Sequence, residues 1–236
     1  MFGRELAEVY EMIYESRGKS WTEEAEEISR LIRSRFPGAD SLLDVACGTG
    51  AHLEAFGKLF AHTEGLELAR PMLDVAVQRL PGVPLHAGDM RDFDLGRTFD
   101  AVVCMFTAIG YLPTVPDMRA AVRSMARHLE PGGVLVVEPW WFPERFIEDY
   151  VAGDLARSES RTVARISHST RQGRTTRMEV RFLVGDSSGI RAFTEIDLLT
   201  LFTLEEYLAA FADAGCPAEY TEVGWTERGV FIGRRE

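Results

Sequence analysis

The stretch Leu42-Leu43-Asp44-Val45-Ala46-Cys47-Gly48-Thr49-Gly50 runs an apolar strand directly into two glycines. Glycines at that place let backbone amides approach a ligand where any side chain would obstruct it. A dinucleotide-binding loop needs a third glycine three places further on, for close packing of the helix on the strand. Position 53 is Leu53, which argues against a nicotinamide enzyme.

Two more acids follow at intervals of about one β-α unit. Glu67 ends the apolar stretch from Thr63 to Leu68, and Asp89 follows the stretch from Val83 to Gly88. Acids at three successive strand ends suit a ligand with a cationic amino-acid part, a ribose and a base, and no pyrophosphate. That ligand is S-adenosylmethionine, with S-adenosylhomocysteine as its product. Gly48 and Gly50 are expected under the methionine moiety, with Ala46 beside them. Asp44 either supports the loop or meets the amino group through water. Glu67 is expected to take both ribose hydroxyls, its neighbour Leu68 flanking them. Asp89 either accepts from the adenine amine or caps the next turn, while Met90 holds the ring. Met72 is a ring-packing candidate or core, and Met105 with Phe106 should border the sulfonium.

The 236 residues are 46% apolar, enough for one large domain or a domain with an insertion. No apolar run reaches the roughly 18 residues that span a membrane. The polar, charged first 20 residues do not read as a signal peptide, which points to a cytoplasmic location. Cys47, Cys104 and Cys216 fit neither a disulfide framework nor a zinc site, so they are read as buried thiols, and no metal is expected. A net charge of −11 argues against sequence-independent nucleic-acid binding. Between Arg157 and Arg191, however, eight arginines face three acids.

Strand patterns recur at Ser41 to Ala46, Thr63 to Leu66, Val83 to His86, Phe99 to Met105 and Val134 to Glu138. Helical patterns lie between them, at Ala51 to Phe60, Pro71 to Arg79 and Pro116 to Leu129, which predicts a mostly parallel, doubly wound α/β sheet. The first 35 residues read as helices forming a lid, with Thr22 as an N-cap. From Thr162 to Phe202 the period changes to two, in three segments, predicting an antiparallel insertion. A helix from Leu204 to Ala214, stopped by Gly215, and strands Ala218 to Val223 and Gly229 to Arg234 close the chain. The whole resembles the class I methyltransferase fold, Rossmann-like, with an inserted antiparallel β-sheet. Its expected divisions are 1–140 (lid and cofactor core), 141–202 (substrate-binding insertion) and 203–236 (completion of the core sheet).

A closer resemblance rests on five motifs: Val45-Ala46-Cys47-Gly48-Thr49-Gly50, Gly88-Asp89-Met90-Arg91-Asp92-Phe93, Glu138-Pro139-Trp140-Trp141-Phe142-Pro143-Glu144, Ser167-His168-Ser169 and Arg228-Gly229-Val230-Phe231. Together they resemble the N,N-dimethyltransferases of nucleotide-linked amino sugars. The resemblance implies methylation, twice, of the amine of a dTDP-linked 6-deoxy amino sugar. It assigns His168, Arg177 and Arg228 to the nucleotide, a role that the charge of the insertion supports because guanidinium matches phosphate geometry. Along the first inserted strand Arg161, Arg165 and Arg171 alternate to one face and Ile166 with His168 to the other.

Trp140, Trp141 and Phe142 begin where the fifth strand ends, and either pack on the sugar or belong in part to the core. Glu138 either orients the sugar or stabilises the strand end. Tyr10 and Trp21 are candidates for the cofactor carboxylate and Tyr14 for the substrate, with packing of the helices as the alternative. Tyr111 is the candidate for orienting the amine. Some relatives carry histidine there, and a phenol with a pKa near 10 makes a poor base at neutral pH, so Tyr111→Phe is expected to slow turnover only modestly. Phe2 stands where relatives carry tyrosine, so no phenol is expected from the extreme N-terminus. Competing readings are a methyltransferase of another small amine or hydroxyl and a catalytically silent S-adenosylmethionine sensor. Monomer and homodimer, through edge strands or the inserted sheet, both stay open.

Overall fold

The computed structural model describes residues 3–236, so Phe2 lies outside the described residues. Its main sheet is built from β1 (Ser41–Val45), β2 (His62–Glu67), β3 (Leu85–Ala87), β4 (Phe99–Cys104), β5 (Leu129–Val137), β10 (Ala218–Val223) and β11 (Thr226–Arg234). The strand order is β10-β11-β5-β4-β1-β2-β3, parallel except for the pairs β11 with β5 and β10 with β11. Leu42 and Leu43 of β1, Ala101 to Cys104 of β4 and Val134 to Val137 of β5 are fully buried, as expected of strands covered on both faces. One face packs on α6 (Val115–Arg127) and α7 (Leu204–Asp213); the other packs on α3 (Trp21–Arg35) and α4 (Ala51–Phe56).

A second sheet, antiparallel, has the order β6 (Tyr150–Arg157), β7 (Arg161–Gln172), β8 (Thr175–Asp186) and β9 (Gly189–Thr200). Its inner face, with Ala156, Val163, Val180, Phe182 and Val184, packs on Leu6, Val9 and Ile13 of the N-terminal segment, which includes α1 (Arg4–Ala7) and α2 (Tyr10–Ser16). Ala69 and Met72, at the start of α5 (Arg70–Arg79), join this cluster. The N-terminal helices are therefore wedged between the two sheets.

Several boundaries differ from the sequence reading. Strand β6 is unanticipated. Its inner positions Ala152, Asp154 and Ala156 are small or charged, so the period of two is masked. Ser20, not Thr22, caps α3, accepting from the Glu23 amide. Strand β5 starts at Leu129, five residues early, across a Pro-Gly-Gly segment that reads as a turn. At α7, Thr203 and Glu206 form a reciprocal capping box, worth about 1 kcal/mol.

Strand order reverses between β1 and β4, and ligands of such sheets bind at the carboxyl ends of the strands beside that point. The loops emerging there are unusual. Ala46 (φ 62), Phe106 (φ 51) and Thr107 (φ 64) are left-handed without being glycine. Such conformations cost about 1–3 kcal/mol each and persist only where the surroundings enforce them.

Candidate active site

Both loops open onto one cavity of about 1340 Å³. That exceeds the volume usual for a single small ligand, about 300–1,000 Å³, and suits two ligands side by side. Ala46, Gly48, Glu67, Leu68, Met72, Met90 and Met105 line one part of it. Gly48 (φ +58) has open space where a Cβ would stand, so its backbone faces the cavity. Gly50 serves otherwise. At φ +80 it begins α4, and a Cβ there would stand 2.9 Å from Leu80 and 3.3 Å from Ala76. The second glycine of the motif permits contact with α5 instead of with a ligand.

The amides of Gly48 and Ala69 donate to the two Glu67 carboxylate oxygens, at 2.9 and 2.6 Å. Burial pushes the Glu67 carboxyl up, and these two bonds oppose the rise. Asp44 is only 1% exposed, and neither of its oxygens has a hydrogen-bond partner among the described residues. Burial first and the Glu67 charge second push its carboxyl well above the usual range. Asp44 does not itself line the cavity; its orphaned carboxyl lies two residues before the loop whose bare Gly48 backbone does, which fits a cationic amino group met through water. The residues present thus suit S-adenosylmethionine.

Asp89 takes the capping alternative. Its oxygens accept from the Arg91 side chain, at 2.6–3.1 Å, and from the Arg91 amide at 2.9 Å, which holds the carboxyl low. Met90 faces the cavity and Asp89 does not. Met72 is both cavity lining and core, at 1% exposure.

The N-terminal helices add Tyr10, Tyr14 and Lys19 to the lining. Tyr10, Tyr14 and Trp21 all meet the Phe106 ring edge-on, with centroids 6.2, 4.7 and 5.8 Å away. Trp21 stands behind this wall, against Tyr10 and His52, and does not line the cavity itself. Lys19 was not anticipated. Its Nζ lies 4.1 Å from the Phe106 centroid and donates to Glu24 at 2.5 Å; Glu24 also bonds His52 at 2.9 Å. Burial lowers the Lys19 pKa against the pull of Glu24. The available signal was compositional, since only two of the 26 basic residues are lysines.

Trp140 and Trp141 line the other part of the cavity, their rings 6.4 Å apart. The Arg228 guanidinium stands over both, at 5.9 and 5.4 Å, and donates to Glu138 at 2.7 Å. The second Glu138 oxygen accepts the Phe106 amide at 2.8 Å, which secures the strained loop after β4. Phe142 is core instead, packed edge-on against Tyr220 and Phe231. Its ring joins the core cluster on the α6–α7 face of the main sheet.

Two residues assigned to the nucleotide lie elsewhere. His168 and Arg177 project from the outer face of the second sheet, beside Asp149 and Glu179 respectively. The period of two requires this, because Arg165, Ser167 and Ser169 of β7 line the cavity and His168 alternates away from them. The inward cation of this strand is Arg165, 4% exposed and paired with Asp154 at 3.1 Å. Tyr111 also lines the cavity, its hydroxyl donating to Asp197 of β9 at 3.0 Å. Asp197 was not anticipated either.

With this geometry in view, a family model described as a methyltransferase domain matches residues 42–133. The chain is 56% identical, over 99% of both lengths, to the dTDP-3-amino-3,4,6-trideoxy-alpha-D-glucopyranose N,N-dimethyltransferase of Streptomyces venezuelae. It is 50% identical to the dTDP-4-amino-2,3,4,6-tetradeoxy-D-glucose N,N-dimethyltransferase of Saccharopolyspora spinosa, over 100% of this chain and 94% of that one. Among solved structures, the S-adenosylmethionine-bound CalS10 of Micromonospora echinaspora, an amino pentose methyltransferase of calicheamicin biosynthesis, matches with a TM-score of 0.90 and 64% identity over 97% of each chain. The motif-level resemblance thus extends along the whole chain, which belongs to the N,N-dimethyltransferases of dTDP-linked amino sugars.

Proposed function

We propose that this protein transfers methyl groups from S-adenosylmethionine to the amine of a dTDP-linked 6-deoxy amino sugar, twice, in deoxysugar biosynthesis in the cytoplasm. The observation that carries the reading is the single cavity. Gly48 and Glu67 line one part of it, and Trp140, Trp141, Arg165 and Arg228 line the other. When bound, the cofactor supplies an electrophilic methyl group. The chain's own residues hold the acceptor in line and exclude water, and alignment of this kind provides most of the rate advantage. The two tryptophan faces suit the sugar or thymine ring, and Arg228 with Arg165 suits the diphosphate. Residues 1–140, 203–236 and 141–202 divide accordingly into cofactor core, its completion and substrate-binding insertion.

The test is mass spectrometry with S-adenosylmethionine and two dTDP-amino-6-deoxysugars, one aminated at C3 and one at C4, as in the two relatives. A gain of two methyl groups on either is expected. No gain on both, with the cofactor shown to bind, overturns the reading. Arg165→Met should raise the KM for the accepted sugar about tenfold or more, the loss of a charged hydrogen bond to phosphate, with cofactor affinity unchanged.

We further propose that the protein is a homodimer through the outer face of the second sheet. Ile166 is 61% exposed and Leu198 54%, with Val151, Leu183 and Ile196 on the same face. Each, being about half exposed, forfeits roughly half of the about 1.5–3 kcal/mol that full burial supplies, so a monomer would leave a large apolar patch in water. Arg177, Glu179 and Arg181 alternate in sign across the patch, which suits a face that meets its own copy about a twofold axis. Ile166→Asp should convert dimer to monomer in sedimentation velocity; a monomeric wild type would refute the assembly.

A further inference from the structure

Tyr111 ends the single turn Ala108–Tyr111 after β4, and its hydroxyl donates to Asp197 Oδ1 at 3.0 Å. Asp197 lies opposite Met178 in the β8–β9 register, and Met178 lines the cavity. The carboxylate therefore stands directly behind a phenol whose ring faces the ligand space. Tyr10 and Tyr14 of α2 lie within electrostatic range of the pair. Glu195 of β9 and Arg165 of β7 flank it with opposite charges.

The acceptor chemistry sets a demand that alignment alone does not meet. An aliphatic amine is largely protonated at neutral pH and then has no lone pair. The product of a first methyl transfer is again an ammonium, so a second transfer needs a second deprotonation. A phenol matches this task poorly on its own. Backed by a carboxylate, it needs only to pass a proton on.

We propose that Tyr111 and Asp197 form a proton relay that deprotonates the acceptor amine before each methyl transfer, with Asp197 as the terminal base. The proposal rests on the amine-acceptor reading above. In the relay step the ammonium N–H bond breaks, its electron pair stays on nitrogen, and the proton passes to Tyr111 Oη. The phenol's own proton crosses to Asp197 Oδ1 at the same time. The result is a neutral amine, a neutral phenol and a carboxylic acid, which releases its proton to solvent before the next cycle. Burial raises the Asp197 carboxyl above the ordinary carboxylate range, the direction a base requires. The relay also assigns Tyr111 a task independent of its own high pKa, which burial raises further.

The test compares wild type with Asp197→Asn, Tyr111→Phe, Asp197→Glu and the Asn/Phe double variant. Near neutral pH, kcat of Asp197→Asn and of Tyr111→Phe should fall by about a hundredfold, the lower end of general-base effects and more than the modest loss expected of a Tyr111 that only orients the amine. KM should change little, and the deficit should shrink toward alkaline pH as the amine arrives neutral. The double variant should be no slower than the slower single one, monomethyl product should accumulate, and Asp197→Glu should recover part of the rate. Deficits parallel at every pH, or additive losses in the double variant, overturn the relay. If wild type methylates no amino sugar, the substrate reading fails and the relay with it; an active wild type with parallel profiles refutes the relay alone.

Discussion

Asp44→Asn is expected to stabilise the ligand-free protein while lowering its affinity for S-adenosylmethionine about a hundredfold, the loss of one charge-assisted contact. Few substitutions at a buried acid should stabilise. This one should, because both carboxylate oxygens lack a partner within the described protein and burial opposes their charge. Removing an uncompensated buried charge is worth about 1–3 kcal/mol, which corresponds to a rise of roughly 2–12 °C in Tm for a chain of this size. The gain is expected to be lost to function, on the reading that this carboxylate meets the cofactor's amino group through water.

The pH dependence follows from the direction of the shift. The folded-state pKa of Asp44 lies above its unfolded value, so the ligand-free protein is favoured at low pH and loses that stability as pH rises through the folded value. A bound cation favours the ionised form. Cofactor affinity should therefore weaken on acidification, with proton release on binding detectable by calorimetry in buffers of different ionisation enthalpy. Asp44→Asn should flatten most of this slope and leave the part due to Glu67, whose carboxyl burial also raises. A variant that is less stable than wild type yet binds equally well would show that Asp44 only supports the loop.

Much of this architecture can be read from the residues, and the exceptions share a cause. The buried parallel strands β1, β4 and β5 announce themselves as apolar runs ending in loop residues, because both of their faces are covered. The second sheet is harder. Alternation separates Arg165 from His168, but it does not say which face points inward, and Ile166, Leu183 and Ile196 put large apolar side chains on the outer face as well. The resemblance, not the alternation, assigns His168 and Arg177 to the nucleotide, and the alternation alone does not correct it. Gly50 shows the same limit on a smaller scale. A left-handed glycine in a ligand loop reads as clearance for the ligand, whereas its neighbours are Ala76 and Leu80, more than 25 positions away and brought close only by packing. Lys19 and Asp197 belong to no local motif; they become site residues through the meeting of α2, α3, β9 and the loop after β4.

The second large effect is expected at Arg228. Its guanidinium is the side-chain hydrogen-bond partner of Glu138 among the described residues, Glu138 is a carboxylate 1% exposed, and it in turn fixes the Phe106 amide. Arg228→Ala leaves that carboxylate buried without its counter-charge, at a cost of about 3–5 kcal/mol for breaking a buried pair from one side. The damage should spread along a definite path. Phe106 and Thr107 hold left-handed conformations that Glu138 helps to enforce, and the Phe106 ring carries Tyr10, Tyr14, Trp21 and Lys19. Loosening that loop should lower cofactor affinity as well as substrate affinity. The double variant Glu138→Gln with Arg228→Met separates structure from chemistry, since a neutral pair of similar volume removes both charges together. It should recover most of the lost stability in chemical denaturation and most of the cofactor affinity. It should not recover the KM for the dTDP-amino sugar, which stays raised at least about tenfold because the cation proposed to face the diphosphate is still missing. If the double variant restores substrate affinity along with stability, Arg228 acts through Glu138 alone and makes no contact with the nucleotide.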